Sequence, residues 1–124
     1  MTAWTPEQLD RIGEAEELRV ASLRPDGSLR SPVIVWVVRH GDDLFIRSVN
    51  GPHAAWYRGT RDRHEGRIWA GGVEADVTFI DFGHQVDAEL DAAYRSKYRD
   101  HAANDVDAII SSRAQDANLK LVPR

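Results

Sequence analysis

Apolar and polar residues alternate through the first two thirds of the chain, and the period then lengthens to that of a helix. Residues 18–23 place Leu18, Val20 and Leu23 at apolar positions and predict a strand. Pro25-Asp26-Gly27 predicts a turn, because proline presets φ and glycine tolerates positive φ. Residues 29–38 predict a second strand, with Pro32 marking an edge or a bulge. In it Val33, Val35 and Val37 alternate with Ile34, Trp36 and Val38, so both faces are apolar. One face must line the core, and the other must be covered by a helix or a second subunit. A dimer face is the economical reading for so small a chain, and a plainly packed strand is the alternative. After the His40-Gly41-Asp42-Asp43 turn, residues 44–49 predict a third strand and 53–60 a helical turn. Residues 65–70 and 73–80 predict a hairpin across Gly71-Gly72, a favoured tight-turn pair.

Helical signals flank this run. Thr5 caps a predicted helix with Pro6 at its first position and Gln8 completing a capping box. Leu9, Ile12 and Ala15 form its apolar stripe, Trp4 is placed to staple against Leu9, and the helix is expected to cover one end of a barrel. Val86, Leu90, Ala93 or Tyr94, and Tyr98 predict a helix over 84–99, in which Asp91 and Arg95 are spaced to pair. A short helix is expected over 104–111, and Leu119 to Val122 reads as a last strand closed by Pro123. The whole is a small antiparallel barrel with flanking helices.

Composition narrows the class. At 124 residues the chain is expected to form one domain, residues 1–124. Hydrophobic residues at 42% and charged residues at 29% suit a globular protein. The net charge of -4, from 20 acidic against 16 basic residues, argues against a nucleic-acid partner but leaves room for a local basic pocket. Without cysteine, disulfides, thiolate metal ligation and thiol nucleophiles are excluded, which fits a cytoplasmic protein. The Met-Thr-Ala-Trp-Thr-Pro-Glu start has no signal-peptide pattern, and the longest apolar run, Val33 to Val38, is too short to span a bilayer.

No residue set spells out a reaction. His40, His53, His64, His84 and His101 are scattered without a ligand spacing, so no metal site is expected; His84 is placed to meet Asp81 or Asp87. Neither a nucleophile elbow nor a phosphate-binding glycine loop is present. Arg30, Arg47, Arg58, Arg61, Arg63 and Arg67 gather in the barrel half. Arg47 and Arg58 bracket Ser48-Val49-Asn50-Gly51-Pro52, a segment leading into a helix start, where the phosphate of a flavin-like cofactor could sit. The alternative is that these arginines are solvated or paired with acids. Trp36 and Trp69 read as strand packing. Trp56 and Tyr57 face opposite ways, one anchoring their helix and one free to border a planar ligand. Lys97 is either a solvent lysine or a contact for an anionic cofactor tail.

Several segments carry a resemblance: Arg47-Ser48-Val49-Asn50-Gly51, Ala55-Trp56-Tyr57-Arg58-Gly59-Thr60, Gly71 to Val77, Ala93 to Tyr98, and Leu119 to Arg124. Over roughly residues 5–124 the chain resembles the domain of unknown function 2255 family, within the split-barrel superfamily of pyridoxamine-phosphate-oxidase-like and deazaflavin-dependent nitroreductase-like proteins. The resemblance implies a six-stranded antiparallel split β-barrel, mainly β with flanking helices. It implies a homodimer that binds FMN or the deazaflavin F420 at its interface, and a redox role on a small molecule. It places the phosphate near Arg47, Ser48, Asn50, Trp56, Tyr57 and Arg58. Better-studied enzymes of the superfamily carry a lysine on the helix matching 53–60, or an Asn-Leu pair after its Trp. This chain reads Trp56-Tyr57-Arg58-Gly59-Thr60 there, so a cofactor-free relative that binds a small hydrophobic ligand, or serves as a structural dimer, is an equal reading.

Overall fold

The computed structural model describes residues 3–124; Met1 and Thr2, which the expected domain range and the N-terminal reading include, lie outside the described residues. Helix α1 (Pro6–Glu14) opens the described chain. Both halves of its capping box form, Gln8 N–H donating to the Thr5 hydroxyl and Thr5 N–H to the Gln8 side chain. Leu9 and Ile12 are buried together with Trp4, whose indole N–H donates to the Leu121 carbonyl at 2.9 Å.

Seven strands follow: β1 (Leu18–Ser22), β2 (Val33–Val35), β3 (Val37–His40), β4 (Asp43–Arg47), β5 (Glu65–Ala70), β6 (Val73–Asp81) and β7 (Asn118–Pro123). They make one antiparallel sheet in the order β2-β1-β5-β6-β7-β4-β3. Its two edge strands, β2 and β3, are one run of chain interrupted at Trp36, so a single bent segment lies on both edges and nearly closes the barrel. Counted as chain runs, the strands are six.

The second strand differs from the expected 29–38. Leu29 makes only an isolated bridge to Leu23, and regular pairing starts after Pro32, which has no N–H to donate. The run then extends to His40 instead of ending at Val38. The hairpin falls where the glycine pair predicts it, with both Gly71 and Gly72 at positive φ.

The barrel interior is filled by Leu18, Val20, Val37, Leu44, Ile46, Ile68, Val77, Phe79, Leu119 and Leu121. A second apolar cluster lies outside the barrel wall. Helix α3 (Asp87–Lys97) lays Leu90, Tyr94 and the following Tyr98 against Val38 and Phe45, with Ile109 of α4 (Ala103–Ile109) beside them. The doubly apolar 33–38 run is thus covered by a helix at Val38, while Ile34 stays 60% exposed. A short helix absent from the sequence reading, α5 (Ser112–Gln115), precedes β7. Helix α2 (Ala55–Thr60) follows a 3-10 turn, Gly51–His53, after β4.

Candidate functional site

Period-2 alternation decides where Arg47 points. In β4, Leu44 and Ile46 face the barrel interior, so Phe45 and Arg47 face the outer layer under α3. The Arg47 side chain is fully enclosed. Its Nε donates to Asn118 Oδ1 at 2.6 Å, and Nη1 donates to Asp91 Oδ1 at 2.6 Å and to the Ile109 carbonyl at 3.0 Å. Among the described residues Nη2 makes no hydrogen bond, and it lies 3.6 Å from Asp87 Oδ1. The guanidinium also sits over the Tyr94 ring, 5.2 Å from its centroid. Asp91, expected to pair with Arg95, is instead taken by Arg47 and by Gln115 Nε2 at 2.9 Å, because a buried guanidinium needs a counter-charge far more than a solvated one does.

This network backs one wall of a cavity of about 420 Å³, within the span of about 300–1,000 Å³ usual for small-molecule sites. Ile34, Val35, Val49 and Ile109 line it with two indoles, Trp36 and Trp56; Arg47, Asn50 and Asp105 are its polar members. The Trp36 ring is fixed by parallel stacking on Tyr98, centroids 3.9 Å apart, with His101 edge-on at 5.0 Å. The break at Trp36 turns the Val37 amide outward from the open edge of β3. Tyr98 Oη accepts from the Val37 N–H at 3.1 Å and donates to the Glu16 carbonyl at 2.8 Å. Burial pushes the Tyr98 hydroxyl up to about 12 and the Tyr94 hydroxyl higher still.

The structure brings together only part of the expected set. Arg47, Asn50 and Trp56 border the cavity. Ser48 is buried beside them in sequence, with its hydroxyl unpartnered among the described residues. Of the two neighbouring aromatics, Tyr57 is the anchor: it is buried in the core, with its hydroxyl 3.2 Å from Asp81 and 3.1 Å from Arg61. Trp56 is the half-buried one that borders the ligand space. Arg58 is exposed on α2 and does not line the cavity. Lys97 lies apart, in a separate hollow with Val38, Arg39 and Arg99. Its Nζ donates to the Val37 carbonyl at 2.6 Å, and burial lowers its pKa to about 8.

The other gathered arginines are largely paired, as the second reading of them expected. Arg30 meets Asp62, Arg61 meets Asp81, Arg63 meets Glu65, and Arg67 meets Asp76. His84 bonds Asp87 at 2.5 Å, which raises its pKa, and lies 3.3 Å from Asp116. Among the described residues no three His, Asp or Glu side chains gather as a metal site, and no helix is long and apolar enough to cross a membrane.

Asn118, Asp105 and Ile109 were not singled out from the sequence, and Asp87 and Asp91 were read only as partners for His84 and Arg95. The available signal was the spacing of Asp87 and Asp91, which puts both carboxylates on the face of α3 that also carries Leu90 and Tyr94.

The chain belongs to the bacterial family described as "Uncharacterized protein conserved in bacteria (DUF2255)", which it matches over residues 8–121. No curated protein matches the sequence. Among solved structures, it is similar to HutZ, the heme storage protein from Vibrio cholerae, at 14% identity and a TM-score of 0.67, over 100% of this chain and 92% of that one. An F420-H2 dependent reductase, FDR-A, is similar at 12% identity and a TM-score of 0.61, over 86% and 93%. The conserved hypothetical protein Rv2991 from Mycobacterium tuberculosis is similar at 10% identity and a TM-score of 0.60, over 99% and 82%. At these identities the likeness establishes the fold alone: an antiparallel split barrel with flanking helices.

Proposed function

We propose that this protein holds a planar heteroaromatic cofactor, of the flavin or deazaflavin class, in the cavity between Trp36 and Trp56, and acts as a redox protein on a small molecule. The observation that carries this reading is the cavity itself: two indoles and four aliphatic side chains around a space of small-molecule size, with the enclosed Arg47 behind one wall. The printed description of the reductase neighbour, which names F420-H2, supports the same class. The ring portion of such a cofactor fits these residues. The phosphate portion does not meet an uncompensated cation, since Arg47 is already held by Asp91 and faces Asp87.

When bound, such a cofactor supplies hydride transfer. The chain's own residues would do the positioning. Trp36, locked by Tyr98, and Trp56 would flank the ring; Ile34, Val35, Val49 and Ile109 would exclude water; Asn50 would supply a polar contact at the edge. Ile34, 60% exposed, and Val49, 39% exposed, border the same cavity, which supports the pairing of two copies there.

The test is a fluorescence titration of the purified protein with lumiflavin, FMN and F420, after its as-isolated absorbance is recorded. Saturable quenching by any of them is the expected result. No response to any of the three at tens of micromolar overturns this reading. It would leave the second one, a cofactor-free relative that binds a small hydrophobic ligand, which the internal pairing of Arg47 favours.

A further inference from the structure

The charges around the cavity say more about the ligand than its shape does. Among the described residues Arg47 is its sole cationic lining residue, and that charge is spent inside the protein: Nε on Asn118, Nη1 on Asp91 and the Ile109 carbonyl, Nη2 enclosed and 3.6 Å from Asp87. Two carboxylates thus face one guanidinium. His84, bonded to Asp87 at 2.5 Å and 3.3 Å from Asp116, offsets part of the Asp87 charge when protonated, but it does not line the cavity. Asp105 then lines the cavity itself, exposed and without an ion pair among the described residues. Two further cations stand outside the lining. Arg58 points to solvent on α2, and Arg113 lies across Gly51, outside the lining. A site built to hold a phosphate presents donors whose charge is not already balanced. This one presents the reverse.

Resting on the reading of the cavity as a ring site, we propose that it selects planar heteroaromatic ligands that carry no anionic tail. The bare uncharged ring is the preferred ligand, and a phosphate or polyanionic extension is a penalty. A phosphate ester carries between one and two negative charges near neutral pH, so its approach to Asp105 on the lining is repelled, and the paired Arg47 supplies no free cation to offset this.

The experiment compares lumiflavin, riboflavin and FMN by fluorescence titration of the intact protein at low and high salt, with the Asp105→Asn variant beside it. Asp105 is exposed on α4 and forms no ion pair among the described residues, so its substitution leaves the fold in place. Expected are similar affinities for lumiflavin and riboflavin, with FMN weaker by about threefold or more at low salt. FMN should gain affinity as salt screens the repulsion, and Asp105→Asn should narrow the gap between FMN and riboflavin. If FMN binds more tightly than riboflavin and loses affinity with salt, the proposal is overturned while the flavin reading stands. If none of the three binds, the ring site fails and the proposal with it.

Discussion

Arg47 Nη1 and Asp91 Oδ1 meet at 2.6 Å across the layer between the end of β4 and the middle of α3, with the arginine side chain fully enclosed and the aspartate nearly so. Removing Asp91 leaves the buried guanidinium with Asp87, 3.6 Å from Nη2, as its remaining counter-charge. Asp91→Ala should cost about 1–3 kcal/mol, a sizeable part of the roughly 5–15 kcal/mol that holds a domain of this size together. Asp91→Asn, which keeps an acceptor for Nη1, should cost less. The exposed Arg11–Glu7 pair on α1 is the contrast, since breaking it should cost about 0.5 kcal/mol or less. Urea denaturation of these two variants and of Glu7→Ala checks this. Equal, small losses at Asp91 and Glu7 would show that the buried pair is not holding α3 down.

Tyr98 closes the open edge of β3 through one hydroxyl. Tyr98→Phe keeps the ring that stacks on Trp36 but leaves the Val37 N–H without its acceptor, at a cost of about 1–3 kcal/mol. The same hydroxyl sets an alkaline limit. Its folded pKa of about 12 lies above the usual value of 10.0, so the folded state keeps a proton that the unfolded chain loses first. The stability it contributes is complete below pH 10 and drains away as pH rises from 10 towards 12. Tyr98→Phe should therefore flatten the stability profile in that window. A variant with an unchanged alkaline slope would remove Tyr98 as its source.

Gly66 lies in β5 where the strand crosses Phe79 and pairs with β1. A Cβ there would stand 2.1 Å from the Ala21 carbonyl oxygen and 2.8 Å from the Phe79 ring. The obstacle is backbone on one side and a buried ring on the other, so neither can yield cheaply. Gly66→Ala should destabilise by about 1–3 kcal/mol or more, and thermal unfolding measures it directly. A variant that melts with the parent would mean that β1 and β5 can separate at this point without loss.

The sequence made the barrel legible because its strands carry local punctuation: Pro25-Asp26-Gly27, Gly71-Gly72, and the valine run after Pro32. The capping box at Thr5 and Gln8 did the same for α1. What could not be read was pairing over distance. Asp91 looked matched to Arg95 because helical spacing is visible in sequence, whereas its true partner, Arg47, is 44 residues away. Trp36 read as a strand residue because nothing local marks the bend that hands one chain run from β1 to β4. The cavity followed the same rule. Arg47, Asn50 and Trp56 were found from one contiguous segment, while Asp105 and Ile109 come from a helix that arrives only through tertiary packing.

Lys97 is one of two lysines in the chain, and its amine is partly buried. Burial lowers its pKa to about 8, against an ordinary value of 10.5, while the negative charge of Glu16 opposes the shift. The folded state thus disfavours the protonated amine. That cost is fully present below pH 8 and disappears as pH rises to 10.5, so this group's share of stability increases across the same interval. The neutral amine should also acylate early. With an amine-reactive ester and peptide mass spectrometry across pH 7 to 10, Lys97 labelling should rise to a plateau with an inflection near 8. Lys120, half-buried and 3.5 Å from Asp43, provides the internal comparison in the same digest. Reactivity of Lys97 that is still climbing steeply at pH 10 would show an unperturbed amine, and the hydrogen bond from Nζ to the Val37 carbonyl would then belong to a charged lysine.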